Sequence, residues 1–223
     1  GMAGLASALS LAPHGSVLVV TKKDRAESDT RYAQGGIACV MLEDDSFESH
    51  VADTLDAGAG LCDEAVVRRI VSDGPARIAE LVAMGMQFTE GADAEQPYDL
   101  GREGGHSKRR ILHAGDLTGR HVEEVLLRQV AATPGIEVRE HTMAIDLVMS
   151  ARIGAPGENR CVGAYLLDRR TGEIYAVRAP QTILASGGFG KVYLYTSNPD
   201  VATGDGVAIG WRAGARVRNM EFV

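Results

Sequence analysis

A stretch of nine residues holds most of the side chains that could recognise a polar ligand. Residues 28–36 read Ser-Asp-Thr-Arg-Tyr-Ala-Gln-Gly-Gly and combine two adjacent glycines with an amide, a hydroxyl and an aromatic ring. They follow an apolar run, residues 17–20, that is typical of a buried strand. Since Gly35 and Gly36 carry no Cβ, backbone N–H groups there can approach a flat polar ligand closely. We therefore expect this stretch to wrap such a ligand.

Two further glycine-rich stretches flank predicted strands. Residues 186–190 read Ser-Gly-Gly-Phe-Gly, and Gly1 and Gly4 match the second and third glycines of a G-x-G-x-x-G motif. A second interpretation is that Gly1-Met2 is an expression scar or a start codon, which is compatible with the motif, and each loop alone is more often a tight turn. Because ligands of open α/β sheets bind beyond the carboxyl ends of the strands, the three stretches together predict a bound dinucleotide.

The elements that must position these loops alternate between helix and strand, which favours an α/β fold with a parallel sheet. Residues 161–178 are predicted to form an antiparallel β-hairpin inserted into that fold. Residues 89–116 lack any period and predict a long functional loop. Helices are predicted at residues 6–12, 47–57, 64–73, 76–84, 119–132 and 206–213. Strands are predicted at residues 16–21, 136–139, 142–150, 161–168, 173–178 and 182–185.

Composition excludes several classes of function. The chain has 223 residues and a formal net charge of −7 without a basic tract, which argues against nucleic acid as a partner. We expect no membrane association, because no apolar run approaches the roughly 20 residues that span a bilayer. Three scattered cysteines and the absence of a signal-peptide pattern predict a cytoplasmic protein. The cysteines are interpreted as small buried hydrophobes, and His14, His50, His121 and His141 fit no metal spacing.

Four motifs resemble the signatures of the succinate dehydrogenase and fumarate reductase flavoprotein family. They are residues 28–36, the Arg-Glu-Gly-Gly-His-Ser run at 102–107, residues 182–188 and the Thr-Gly-Asp-Gly run at 203–206. Within the family, residues 31–38, 56–63 and 102–114 are similar to the branch that oxidises L-aspartate. The resemblance extends over nearly the whole chain.

This resemblance implies the fold and the cofactor. The fold would be a Rossmann-like FAD-binding domain of the glutathione-reductase type with an inserted antiparallel β-hairpin. Residues 1–223 would be the amino-terminal part of that domain, with its first strand and the substrate-capping and helical domains outside the chain. FAD would be bound by Gly1, Gly4, Thr21, Lys22, Asp29, Thr30, Arg31, Tyr32, Ala33, Gln34, Gly35, Gly36, Met143, Ala144, Ser186, Gly187, Gly188 and Asp205.

Two departures from related sequences sharpen that expectation. Many FAD folds end the second strand with an acid that binds the ribose, but Thr21 and Lys22 stand there, and Lys22 would favour the pyrophosphate. Asp29 stands where membrane succinate dehydrogenases carry the histidine that bonds covalently to the flavin. The resemblance therefore implies FAD that is held without a covalent bond.

Glu103 is the residue that the resemblance singles out for the substrate. The dicarboxylate dehydrogenases have an apolar residue there, whereas a carboxylate would attract the α-ammonium group of aspartate, which succinate lacks. His106, Arg109, Arg110 and His113 lie in the same predicted loop. They could pair with a dicarboxylate, or they could form loop salt bridges, and the sequence leaves both interpretations open.

The implied activity is FAD-dependent oxidation of L-aspartate to iminoaspartate, with oxygen or fumarate as the electron acceptor, in the first step of de novo NAD biosynthesis. Quinolinate synthase is the implied partner, because iminoaspartate is unstable. Two alternatives stay open. One is a soluble fumarate reductase or succinate dehydrogenase flavoprotein, and the other is a catalytically inactive FAD-binding fragment.

Overall fold

In residues 1–92 and 96–222, which the computed structural model describes, six α-helices and eight strands follow one another along the chain. The helices are α1 (Met2–Leu11), α2 (Asp29–Tyr32), α3 (Phe47–Ala57), α4 (Glu64–Ala83), α5 (Thr118–Ala132) and α6 (Asp205–Arg212). The strands are β1 (Val17–Val20), β2 (Ile37–Ala38), β3 (Leu100–Gly101), β4 (Ile111–Leu112), β5 (Ile136–Arg139), β6 (Thr142–Met149), β7 (Cys161–Asp168) and β8 (Ile174–Arg178). No helix in these residues is both long enough and apolar enough to cross a membrane.

The first of two compact units combines residues 1–32 with the described residues from 126 onward. It contains a parallel pair, β1 and β5, and an antiparallel sheet in the order β6-β7-β8. The predicted α/β class and the predicted hairpin, β7 with β8, are confirmed, and β6 extends the hairpin to three strands. Leu147, Met149 and Ile209 form a core cluster to which β6 and α6 both contribute. Burial of these apolar side chains stabilises this part of the unit.

The second unit, residues 33–125, contains α3, α4 and a small antiparallel sheet in the order β2-β4-β3. The two helices begin at caps that the sequence predicts. Ser46 Oγ accepts a hydrogen bond from Ser49 N–H, and the Asp63 carboxylate accepts two from the start of α4. The predicted bounds of α3 are confirmed, because a side-chain cap and a following glycine mark both of its ends.

The predicted break between residues 73 and 76 is wrong, because α4 runs unbroken through Pro75. Proline inside a helix removes one backbone hydrogen bond and costs about 3 kcal/mol. Val71 and Ile78 lie two turns apart on the same face of α4, and both are buried. Because a break would separate these two side chains from the core, burial offsets the cost of the proline.

The predicted buried strand at residues 182–185 is wrong as well. No strand is assigned there, and Ile183 and Leu184 are 54% and 43% exposed. An apolar run becomes a strand only beside a hydrogen-bonding partner, and no described strand pairs with this one. At residues 89–116 the difference is reversed: the sequence predicts a loop, and the structure contains the short strands β3 and β4 there. Similarly, the aperiodic stretch at residues 28–36 contains α2.

Candidate functional site

The small sheet of the second unit brings Gly36 and Glu103 together. Gly36 directly precedes β2, Glu103 follows β3 by two residues, and both strands pair with β4. Gly36 N–H donates a hydrogen bond to Glu103 Oε1 at 3.4 Å. The Gln-Gly-Gly stretch and the Arg-Glu-Gly-Gly stretch therefore meet in space, although the sequence separates them widely.

Gly36 also packs directly against the backbone of β4. A Cβ at this position would lie 2.2 Å from the carbonyl oxygen of Leu112 and 2.5 Å from Ile111 Cγ2. Contacts this short are not tolerated, so only glycine fits here without a shift of the sheet.

An open cavity of about 480 Å³ lies beside this contact. Its lining carries two carboxylates, those of Glu103 and Asp116. The lining residues are Gln34, Gly36, Gly101, Glu103, Ile111, His113, Gly115 and Asp116. Two carboxylates at one cavity favour a cationic group such as an ammonium ion.

His113 is held by neighbours on both sides of its ring. Nδ1 lies 3.2 Å from Thr89 Oγ1, and Nε2 lies 3.3 Å from Asp99 Oδ2. Because both ring nitrogens already have partners, His113 is suited to form a wall of the cavity rather than to exchange protons with a ligand.

Arg110 forms loop salt bridges, which was one of the two interpretations left open for the basic cluster. Its side chain is 0% exposed and forms ion pairs with Asp45 at 2.7 Å and Asp53 at 2.6 Å. Burial alone would lower the pKa of Arg110, but hydrogen bonds to both carboxylates raise it above its ordinary value, so the residue stays charged. Arg109 is exposed, and the His106 ring packs edge-on against His50 with 5.5 Å between centroids.

In the first unit, four of the predicted cofactor residues meet at the start of α1. Met2 N–H donates to Thr30 Oγ1 at 3.1 Å, and a Cβ on Gly1 would lie 3.0 Å from the same oxygen. Gly187 has a positive φ of +74°, and a Cβ there would lie 2.9 Å from Asp29 Oδ2. The glycine-rich stretch at Gly1–Gly4 and the one at residues 186–190 therefore both contact residues of the 28–36 stretch.

Lys22 and Asp205 also meet, at the start of α6. Lys22 Nζ lies 2.5 Å from Asp205 Oδ2 and is hydrogen-bonded to Thr203 Oγ1 as well. The structure thus directs the lysine charge toward Asp205, and a role for Lys22 at a pyrophosphate stays a prediction.

The other predicted cofactor residues lie at strand ends and turns. Thr21 continues β1 by donating to Arg139 C=O at 3.0 Å. A Cβ added to Gly4 would lie 3.5 Å from Ala185 Cβ in the 182–188 stretch, and Gly206 in α6 packs closely against Ser186 Oγ. Met143 and Ala144 lie in β6, and Arg31 and Tyr32 lie in α2. Gly188 lies near Asn198. The remaining predicted residues, Ala33, Gln34 and Gly35, belong to the second unit.

Comparison with known proteins places this geometry in a family. The whole chain, residues 1–223, matches the family described as FAD binding domain. The chain belongs to this FAD-binding domain family. The motif resemblance described above is thereby confirmed, and FAD is the cofactor.

Curated relatives that share about half of their residues with this FAD-binding domain chain are named L-aspartate oxidase. The chain is 53% identical to L-aspartate oxidase 1 of Ralstonia nicotianae and 50% identical to L-aspartate oxidase of Yersinia pestis. Both matches cover 100% of this chain and 42% of the relative, so the chain spans less than half the length of these proteins. Among solved structures, the E. coli quinol fumarate reductase FrdA is 28% identical, with a TM-score of 0.87 over 95% of this chain and 35% of that chain.

The residues of the first unit fit FAD on an independent observation. Asp29 Oδ1 is buried and has no hydrogen-bond partner in the described part of the chain. A buried acceptor without a partner is costly, and a hydroxyl or N–H group of a bound dinucleotide would satisfy it. Together with the close approach allowed by Gly1 and Gly187, this makes the start of α1 suited to a polar cofactor.

Asp45, Ser49 and Asp53 surround Arg110 in the FAD-binding domain and were not predicted from the sequence. Their spacing of four residues places them along one side of α3 and its entry, which was the available signal.

In residues 1–92 and 96–222, no group of histidines, cysteines and acids has the arrangement of a metal site.

Proposed function

We propose that this chain provides the FAD-binding part of an enzyme that oxidises L-aspartate to iminoaspartate, with oxygen or fumarate as the electron acceptor. The observation that carries the proposal is Glu103, an acid at a cavity beside the Gln-Gly-Gly stretch, in a chain about half identical to L-aspartate oxidases. Bound FAD supplies the two-electron acceptor for such an oxidation.

The protein residues bind and orient the substrate. Glu103 attracts the α-ammonium group, and the second carboxylate at the cavity, that of Asp116, adds to the negative potential. Gly36 N–H holds one oxygen of Glu103, so the other oxygen remains available to the substrate. Since succinate has no ammonium group, it gains nothing from either carboxylate, and Glu103 selects the amino acid.

Replacing Glu103 tests this role. Glu103→Gln keeps the shape but removes the charge, so the kcat/KM for L-aspartate should fall by about tenfold or more, the loss expected for a charged hydrogen bond. Fumarate reduction by the same variant should change little. The measurement is steady-state kinetics of both reactions in the full-length enzyme, with Glu43→Gln as the control at an exposed acid. Equal losses in the two reactions would contradict the assignment.

A soluble fumarate reductase is the second candidate, because the fold matches the fumarate reductase FrdA with a TM-score of 0.87. The kinetics described above separate the two. A catalytically inactive FAD-binding fragment is the third, and it applies to residues 1–223 expressed alone. Purified yellow protein that releases FAD on denaturation would count against inactivity, whereas colourless protein without aspartate-dependent peroxide would support it.

The proposal includes the finer expectations from the sequence. The fold is of the glutathione-reductase type, and the substrate-capping and helical domains lie in parts of the enzyme beyond those matched here. The reaction begins de novo NAD biosynthesis in the cytoplasm, and the product passes to quinolinate synthase. The net charge of −7 supports a protein without a nucleic-acid partner.

A further inference from the structure

Glu103 lies in the loop that joins β3 to β4, and the backbone of this loop is closed at two levels. At the base, Arg110 N–H donates to Gly101 C=O at 3.1 Å beside the paired strands. At the tip, His106 N–H donates to Glu103 C=O at 3.3 Å, and Gly105 provides the positive φ of +82° in this turn. The position of Glu103 therefore depends on the contacts that hold the residues after the turn, Ser107 to Arg110.

The far side of the turn is held by one carboxylate oxygen of α3. Asp53 Oδ2 accepts three hydrogen bonds, from Ser107 N–H at 2.8 Å, from Ser107 Oγ at 2.8 Å and from Arg110 Nη1 at 2.6 Å. Charged hydrogen bonds of this length are among the stronger ones in proteins. The Ser107 backbone bond contributes most to lowering the pKa of Asp53, which therefore remains a carboxylate near neutral pH.

Arg110 is fixed from its other side as well. Its Nε and Nη2 donate to the two oxygens of Asp45 at 2.8 and 2.7 Å, and Nη2 also contacts Ser49 Oγ at 3.0 Å. The guanidinium group thus lies between two carboxylates and has no freedom to turn toward a ligand. This arrangement ties the loop to a helix by charged groups at two successive points, Ser107 and Arg110.

We propose that Asp53 is a positioning residue for Glu103. By holding Ser107 and Arg110, it fixes the turn that presents the Glu103 carboxylate to Gly36 N–H and to the cavity. Its effect on substrate binding rests on the function proposed for Glu103, whereas its effect on the loop does not.

Hydrogen–deuterium exchange of the full-length holoenzyme tests the effect on the loop. Asp53→Asn should make the backbone amides of residues 102–109 exchange roughly tenfold faster, because the charged acceptor is lost. Ser107→Ala removes only one of the three bonds and should give a smaller increase, which guards against a variant that fails to fold. Asp56→Asn makes the same chemical change at an exposed position of α3 and should leave the rate unchanged. Unchanged exchange in both Asp53→Asn and Ser107→Ala would overturn the proposal.

A double-mutant cycle then tests whether Asp53 acts through Glu103. The readout is the L-aspartate concentration that gives half-maximal flavin bleaching without oxygen. Asp53→Asn should raise it roughly tenfold in the native background, but less than about twofold once Glu103→Gln is present. The same factor in both backgrounds would show an effect independent of Glu103 and would overturn the proposal. If Glu103→Gln alone changes nothing while loop exchange still rises in Asp53→Asn, the proposed function fails and the positioning role stands.

Discussion

Gly36 carries the most severe steric restriction in the small sheet of the second unit. A Cβ would lie 2.2 Å from the Leu112 carbonyl oxygen, which cannot move without disturbing β4. Gly36→Ala should lower the free energy of unfolding by about 1–3 kcal/mol, as overpacked sites do. Gly101→Ala is the matched control on the other side of β4, where the new methyl group would lie 3.6 Å from Ile111 Cβ. Urea denaturation of the three proteins measures the difference, and equal stability of the two variants would contradict the prediction.

His50 should make stability depend on pH just below neutrality. Burial and the nearby Arg110 charge lower the pKa of His50, and its Nδ1 has no hydrogen-bond partner in the described chain. The unfolded chain binds a proton below about pH 6.5 while the folded chain does not, so stability falls as pH drops through this value toward the lowered pKa. The paired carboxylates Asp45 and Asp53, whose pKa values are also lowered, lose their contribution only nearer pH 4.

The pH dependence of stability is measured from the unfolding midpoints of the protein at a series of pH values between pH 5 and pH 7.5. His50→Gln should flatten the dependence in that window, and His14→Gln, at an exposed histidine, should preserve it. A full pH dependence in His50→Gln would assign the effect to other groups.

The sequence indicated Gly36 and Glu103, which the structure brings to one cavity, but it did not indicate the residues that support them. Gly36 and Glu103 lie in short stretches that resemble the motifs of a known family, and this resemblance, rather than either stretch alone, indicated them. In the sequence, Asp53 does not differ from an ordinary solvated acid on a helix. Only the fold shows its contacts with Arg110 and Ser107. Tertiary contacts of this kind leave only a weak trace in sequence spacing.

At the scale of elements, α4 contains Pro75 in its interior and stays helical, because burial of its apolar face offsets the destabilising effect of the proline. Pro75→Ala should restore the backbone hydrogen bond and raise the free energy of unfolding by about 1–3 kcal/mol, less the entropy that proline removes from the unfolded chain. Pro13→Ala is the control, because Pro13 lies in the first turn of a short 3₁₀ helix, where proline is well tolerated. Differential scanning calorimetry compares them, and an equal or lower stability of Pro75→Ala would contradict the prediction.

Elements with local signals were predictable, and elements that depend on distant partners were not. The caps Ser46 and Asp63 fixed the starts of α3 and α4, because side-chain caps act within three residues. The continuity of α4 and the absence of a strand at residues 182–185 depend on packing and pairing far along the chain. Propensity carries no information about either.

At the scale of the whole molecule, the cofactor should be dissociable. Asp29 is a carboxylate and cannot form the covalent bond that a histidine forms with flavin in the membrane succinate dehydrogenases. Acid precipitation of the full-length enzyme should release all of its FAD into the supernatant, leaving a colourless pellet; absorbance at 450 nm measures both fractions. A pellet that stays yellow would contradict the prediction.

The division of the chain also has a consequence during synthesis on the ribosome. The strand β1 emerges before its partner, because Val17 pairs with Ile136, which follows about 120 residues later. At about 5–20 residues per second, β1 waits roughly 6–24 s for its partner. Residues 33–125, by contrast, contain every strand of their own small sheet. During synthesis, residues 33–125 can therefore already pair with one another while β1 still lacks its partner and is accessible to chaperones.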